Sequence, residues 1–157
     1  MPRIYIETTI PSYLAAKPSR DIITAAQQQI TVEWWEESHL HYELYISEAV
    51  LDECQAGDSG VAKRRLDFIQ NLPLLKITKE VVMRAEIYSK LLDIPEKSKV
   101  DAIHLAIAAV YEMDYLLTWN CKHLAHGEVR TKIHRYNRDN ELYEPMIVTP
   151  LELIERR

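Results

Sequence analysis

The stretch over residues 97–123, KSKVDAIHLAIAAVYEMDYLLTWNCKH, does most to limit what this chain can fold into. Its apolar run over 100–111 is too continuous for a helix with one wet face, which predicts a helix buried on nearly every side. Ala102, Ala106, Ala108 and Ala109 leave room for a neighbouring backbone to pack closely. A tight turn and a short buried strand over 115–118 follow, bounded by Asp114 and Asn120. One acid, Asp101, stands in the first turn of this helix, and burying an unpaired charge is costly. Two readings account for it. Ser98 and Asp101 have the spacing of a capping box, with the helix dipole favouring the carboxylate. Alternatively, Asp101 belongs to a site.

The remaining chain supplies strands and helices in alternation. A strand over 3–6 ends at Glu7, and Thr8, Thr9 and Pro11 open a helix with a hydroxyl cap. A long helix over 21–41 carries Ile22, Ala25, Ala26, Gln29 and Ile30 at one-face spacing. Adjacent Trp34 and Trp35 cannot share a face, so one is core and the other covers a neighbour or a contact between copies. His39 and His41 are read as surface residues. A strand over 43–46 follows, with Ser47 capping the next helix. In that helix Asp52 and Glu53 point about 100° apart, so at most one enters a shared site, and periodicity does not choose between them.

Residues 61–71 form a helix with the basic run Lys63, Arg64 and Arg65, read as a solvated face with RNA contact as the weaker reading. After an extended piece over 72–77, Thr78 starts a helix with Val81, Val82, Ala85, Tyr88, Leu91 and Leu92 on its buried side. Lys97 and Lys99 flank Asp101, as solvent-exposed residues or as phosphate contacts. Residues 127–140 are helical and carry Arg130, Lys132, Arg135 and Arg138. A last strand spans 146–148, and Thr149-Pro150-Leu151-Glu152 is a helix start with a capping box. This alternation predicts an α/β fold, a three-layer α/β/α sandwich with a short, mainly parallel central sheet, forming a single domain over 1–157. Right-handed connections put every strand's C-terminal end on one edge. Glu7, Glu53, Asp101 and Asn120 can therefore converge there, whereas Asp114 falls at the opposite edge.

Several function classes are disfavoured. Three glycines in 157 residues leave no nucleotide-binding loop, and no nucleophile motif supports a phosphatase. No apolar run approaches the roughly 18 residues of a membrane span and no signal pattern opens the chain, so a cytoplasmic location is expected. Cys54 and Cys121 are too few for a disulfide framework. Cys121, His123 and His126 are zinc-type side chains without a matching second cluster, which disfavours zinc. A net charge of −5 runs against nucleic-acid binding, although local charge outweighs the sum. Exposed aromatics make a homodimer the expected assembly.

The segments "IYIETTIPSYL", "ISEAVLDE", "DAIHLAIA" and "LLTWN" resemble, in that order, the acid-bearing segments of a PIN domain. The resemblance covers most of the chain, from Ile4 to Asn120. It favours Glu53 over Asp52 and implies metal-dependent cleavage of RNA. The nearest functional type is the VapC-like toxin of a toxin–antitoxin pair, restrained by an antitoxin protein. Glu7 and Asp101 would be the main metal ligands and Glu53 a second ligand or a water-positioning group. Asn120 would be a neutral ligand or water holder, with the Thr8 and Thr118 hydroxyls behind them. Oxygen donors of this kind suit Mg²⁺ or Mn²⁺. Without a cation, two carboxylates 4 Å apart repel by about 4 kcal/mol at an effective dielectric of about 20. Glu7 and Asn120 both stand where the family more often has aspartate. Those departures support an alternative: a catalytically weak or inactive module that binds RNA or a protein partner.

Overall fold

The computed structural model describes residues 1–38 and 40–155. In chain order its elements are β1 (Arg3–Ile6), α1 (Thr9–Ala15), α2 (Ile22–Ser38), β2 (Glu43–Ser47), α3 (Glu48–Cys54), α4 (Ser59–Ile69) and β3 (Leu74–Leu75). There follow α5 (Lys79–Leu91), α6 (Lys99–Val110), β4 (Tyr115–Leu117), α7 (Gly127–Asp139), β5 (Met146–Val148) and α8 (Pro150–Leu153). The five strands form one sheet in the order β3-β2-β1-β4-β5, and every pairing is parallel. The fold is an α/β/α sandwich, with the parallel sheet as its middle layer.

The order of the strands locates the crevice. The chain runs outward from β1 to β2 to β3, then crosses back over both to β4 and continues to β5. Right-handed crossovers therefore put α1 to α4 on one face and α5 to α7 on the other. On the second face, the Tyr88 hydroxyl of α5 donates to Asn137 of α7 at 2.8 Å, and the Tyr88 and Tyr136 rings meet edge to face. The reversal falls between β1 and β4, and beyond the carboxyl ends of such a pair the diverging connections leave a cleft. Glu7 follows β1 and Asn120 lies just past β4. At the opposite edge Asp114 accepts the Arg3 amide at 2.8 Å, which ties down the start of β1 away from the cleft.

Burial follows from position in the stack. Ile4, Tyr5 and Ile6 of the central strand are fully buried, as expected for a strand covered on both faces. The outer strands are short, which limits exposed pairing edges. In α6 the residues Ala102 and His104 through Ala109 are all buried, matching the all-round apolar pattern. Ser47, Asp58 and Thr78 cap α3, α4 and α5, and Thr149 with Glu152 closes the capping box of α8.

One expected face is not the buried one, and a second is buried at all but one of its expected positions. In α2, Ile22 is 82% exposed, Ala26 and Gln29 are also exposed, and the line turned inward runs through Thr31, Trp34 and Ser38. The reason is a polar contact. The Trp119 indole N–H donates to Thr31 Oγ1 at 2.6 Å, and that hydroxyl donates to the Gln27 carbonyl. Trp34 is the core member of the tryptophan pair, while Trp35 meets Phe68 of α4 edge to face. His41 is exposed, and His39 lies outside the described residues. In α5 the inward side holds Val81, Ala85 and Tyr88, but Val82 is 43% exposed. Replacing Thr31 with valine keeps the shape and orphans the buried indole N–H. We expect a loss of about 1–3 kcal/mol in urea unfolding with an unchanged slope; an unaltered midpoint would deny that this bond sets the face of α2.

Candidate active site

Glu7 continues the path of β1, its amide donating to the Leu117 carbonyl at 3.1 Å. The side chain is only 3% exposed, yet one oxygen, Oε1, receives three donors: the Thr9 amide, the Thr9 hydroxyl and the Thr118 hydroxyl. Both hydroxyls are themselves polarised from behind. Thr9 Oγ1 accepts the Trp119 amide at 2.8 Å, and Thr118 Oγ1 accepts the Asn120 amide at 2.9 Å. Donor chains of this kind strengthen one another in a low-dielectric setting. Burial still dominates and raises the Glu7 carboxyl above its usual range, despite the opposing charge of His104 and these hydrogen bonds.

The hydroxyl cap expected for α1 does not form. Thr8 makes no capping bond; its hydroxyl donates to Glu53 Oε1, just as Thr9 is drawn to Glu7. A charged acceptor makes the stronger bond, so the acids take both hydroxyls.

Glu53 lies in the last turn of α3 and is half-buried, whereas Asp52 is exposed. Its Oε1 is 2.6 Å from His104 Nε2. Burial alone would raise this carboxyl, but the His104 bond and charge and the Thr8 hydroxyl outweigh it and hold it below the usual range. His104 is fully buried in α6, and its Nδ1 meets the Tyr5 hydroxyl at 2.6 Å. Tyr5 in turn meets Ser47 Oγ at 2.7 Å. Burial would lower the imidazole, yet the Glu53 bond and the charges of Glu7, Glu53 and Asp101 raise it overall. One chain of contacts thus links Ser47, Tyr5, His104, Glu53 and Thr8 across β2, β1, α6, α3 and the start of α1. Among the described residues, the metal-capable group of three or more His, Cys, Asp or Glu side chains is Glu7, Glu53 and His104, with ligand atoms all within 4.8 Å of one another.

Asp101 is not in that group. It lies one turn earlier than His104 on α6, and its Oδ2 is 2.7 Å from His123 Nδ1. Its capping-box reading fails. A 3-10 turn over Glu96–Ser98 leads straight into α6, leaving Ser98 at φ −112° and ψ 16° with no side-chain cap bond. Capping hydroxyls are normally presented from extended backbone, which a coiled entry does not provide. Asn120 Oδ1 is also engaged, accepting the His123 amide at 3.0 Å. The structure therefore brings ligand atoms of Glu7 and Glu53 within 4.8 Å of each other, and makes Asp101 and Asn120 the two supports of His123.

The sequence reading missed His104 and its Tyr5 contact, and gave His123 only a zinc-type role. The signal for His104 was present: a histidine inside "DAIHLAIA", three residues after Asp101 on an otherwise apolar helix. The candidate zinc residues do not assemble. Cys121 is exposed, His123 is on Asp101, and His126 accepts the Glu128 amide to cap α7. The basic run of α4 is largely structural: Arg64 donates to the Ala15 carbonyl and Arg65 to those of Cys54 and Ala56, leaving Lys63 beside Asp67. Lys97 is exposed, and Lys99 lies 3.9 Å from Glu96.

A parallel five-stranded sandwich with acids gathered beyond β1 defines the class of the fold, and comparison with solved structures names it as a PIN-domain, VapC-like fold. A chain of VapBC2 from Rickettsia felis, in a structure bound to a DNA fragment from their promoter, superposes with a TM-score of 0.59 at 14% identity, covering 94% of this chain and 98% of that one. The toxin VapC20 from Mycobacterium tuberculosis, described as cleaving the sarcin-ricin loop, gives 0.61 at 17% identity, covering 79% and 95%. No family model and no curated protein matches the sequence. No helix among the described residues is long and apolar enough to cross a membrane.

Proposed function

We propose that this chain is a metal-dependent ribonuclease that hydrolyses RNA phosphodiester bonds, working as the toxin of a toxin–antitoxin pair in the cytoplasm. The observation that carries the reading is the pairing of Glu7 and Glu53 at the β1/β4 crevice, one carboxylate pushed up by burial and the other held down by His104. Perturbed acids of opposite direction in one cleft are a mark of chemistry more than of packing. The VapC-like fold supports the reaction class, since VapC20 is described as a sarcin-ricin loop cleaving toxin and VapBC2 as bound to a DNA fragment from their promoter.

The donor set fits a hard divalent cation. Among the described residues no donor reaches Glu7 Oε2, Glu53 Oε2 or Asp101 Oδ1, so each acid keeps one uncommitted oxygen. Glu7 and Glu53 would hold Mg²⁺ or Mn²⁺ through these oxygens, with water completing the shell and linking it to Asp101. When bound, such an ion supplies an activated water and charge stabilisation at the phosphate. The protein's own contribution is placement: the Thr9 and Thr118 hydroxyls fix Glu7, His104 and Thr8 fix Glu53, and His123 fixes Asp101. Asn120, read from the sequence as a ligand, is assigned here to the loop that presents His123. The partners proposed with this reading are RNA, an antitoxin protein and a second copy of the chain. The last rests on Val82, Met83 and Ile87, which are exposed along α5.

A second reading, a binding module without turnover, is favoured by His104. It already balances the two acids, so the cluster persists without a metal. Titration of Mg²⁺ or Mn²⁺ into purified protein with single-stranded RNA separates the two. The nuclease predicts cleavage that needs the ion, stops in EDTA and falls at least about a hundredfold in Asp101→Asn. RNA binding without cleavage under any of these conditions would leave the binding module.

A further inference from the structure

Outside the acid pair, the most developed constellation is the Asp101–His123 couple. His123 Nδ1 lies 2.7 Å from Asp101 Oδ2, the two side chains being 16% and 14% exposed. Asn120 Oδ1 holds the His123 amide, and the Asn120 carbonyl accepts the amides of Leu124 and Ala125 at 3.1 and 2.8 Å. The Asn120 amide in turn rests on Thr118 Oγ1, which donates to Glu7. His123 is thus fastened from two sides by residues that also reach the site: Asp101, whose charge acts on His104, and the loop hung from Thr118. No described residue bonds its remaining nitrogen, Nε2, and that atom is not among the buried unpartnered ones. An imidazole with one nitrogen held on a carboxylate and the other unbonded and not sealed from solvent is available to an external partner.

We propose that His123 Nε2 contacts the ribose 2′-hydroxyl of the RNA strand beside the scissile bond, and so lets the site tell RNA from DNA. A hydroxyl suits this nitrogen in either proton state, because it donates to a bare Nε2 and accepts from Nε2–H. The 2′-hydroxyl is also the group by which a protein separates the two nucleic acids at a given position. The inference rests on the ribonuclease reading and assigns to that site its means of sugar selection. It gives the polar loop over 120–126 a reason to be built around a histidine.

The test is a cycle of protein and sugar variants, read by fluorescence anisotropy in EDTA so that no strand is cut. Labelled single-stranded RNA is compared with matched strands that are 2′-deoxy at single positions. The informative variant is His123→Asn, whose amide nitrogen replaces Nδ1 and keeps the Asp101 contact while Nε2 is lost. His123→Ala removes both, and thermal melting reports whether either variant is folded. Wild type should prefer the ribose strand by about tenfold at one position, the weight of one hydrogen bond. That preference should vanish in both variants, so that in each the ribose and deoxy strands bind equally. Full preference in His123→Asn would reduce His123 to a support for Asp101 and overturn the inference. Metal-dependent cleavage by wild type without any ribose preference would overturn it alone. Failure of wild type both to bind RNA in EDTA and to cleave it with metal would remove the ribonuclease reading, and this inference with it.

Discussion

Glu7→Gln is expected to abolish RNA cleavage and, in the same protein, to raise the melting temperature measured in EDTA. Glutamine keeps an oxygen for the Thr9 amide and the two hydroxyls, so the hydrogen bonds around Oε1 survive. What it removes is a charge held at 3% exposure. The expected gain is on the order of 1 kcal/mol at neutral pH, since burying a charge is unfavourable even when it is well bonded. The loss of turnover should be at least about a hundredfold, because a neutral amide is a poor partner for a divalent cation.

Its dependence on pH follows from the direction of the Glu7 shift. The folded carboxyl sits above its ordinary value of 4.5. The native state therefore keeps this proton to higher pH than the unfolded chain does. The stability this group contributes is full below 4.5 and is lost as pH rises through the folded value. Wild type and Glu7→Gln should thus melt most nearly together in acid, and the variant should pull ahead toward neutral pH. A variant that melts lower than wild type at neutral pH would show that the charge stabilises the fold, contrary to this account.

The same balance explains which parts of the molecule were legible in the sequence. Strands 3–6 and 146–148, the Ser47 and Thr78 caps and the Thr149–Glu152 capping box are local, governed by neighbours within a few residues, and each appears where expected. The apolar run of α6 had one physical outcome, burial. The inward face of α2 was not legible, because it is set by a bond from Trp119 to Thr31 across 88 residues of chain. Hydroxyl capping at Thr8 and Ser98 failed for separate reasons. A distant acid, Glu53, drew the Thr8 hydroxyl away, while neighbouring Glu7 took that of Thr9, and a 3-10 entry denied Ser98 its geometry.

Within the site, sheet topology was enough to place Glu7, whereas Glu53 was expected in the first turn of its helix, lies in the last turn of α3, and was chosen over Asp52 by the resemblance. Separating them from Asp101 and Asn120 required side-chain pairing that spacing does not encode. His104 and His123 decide that pairing, and neither belonged to the acidic pattern that drew attention to the cleft. A buried histidine on an apolar helix usually means a satisfied core residue, and His104 is satisfied. Its partner happens to be a site carboxylate.

His104→Leu is therefore expected to be among the most damaging substitutions to the metal-free protein, and the damage should be repaired by metal. Leucine fills most of the space, and Tyr5 keeps Ser47 as a partner, so no hydroxyl is orphaned. Glu53 retains Thr8 but loses its counter-charge, and Glu7 loses the one opposing charge that offsets its burial. Leaving partly buried carboxylates without compensation costs about 2–4 kcal/mol. Thermal melting in EDTA should show a drop of that size, larger than any change from an exposed-site control such as Asp52→Asn. Added Mg²⁺ or Mn²⁺ should then stabilise the variant more than wild type, since the cation takes over a task the imidazole performed. The direction of that difference carries the argument. An imidazole 2.6 Å from Glu53 opposes a cation electrostatically, so its removal should tighten metal binding even as it loosens the fold. If metal raised both melting temperatures equally, or if the two proteins melted together in EDTA, His104 would be a passive core residue and the acids would be balanced by something else.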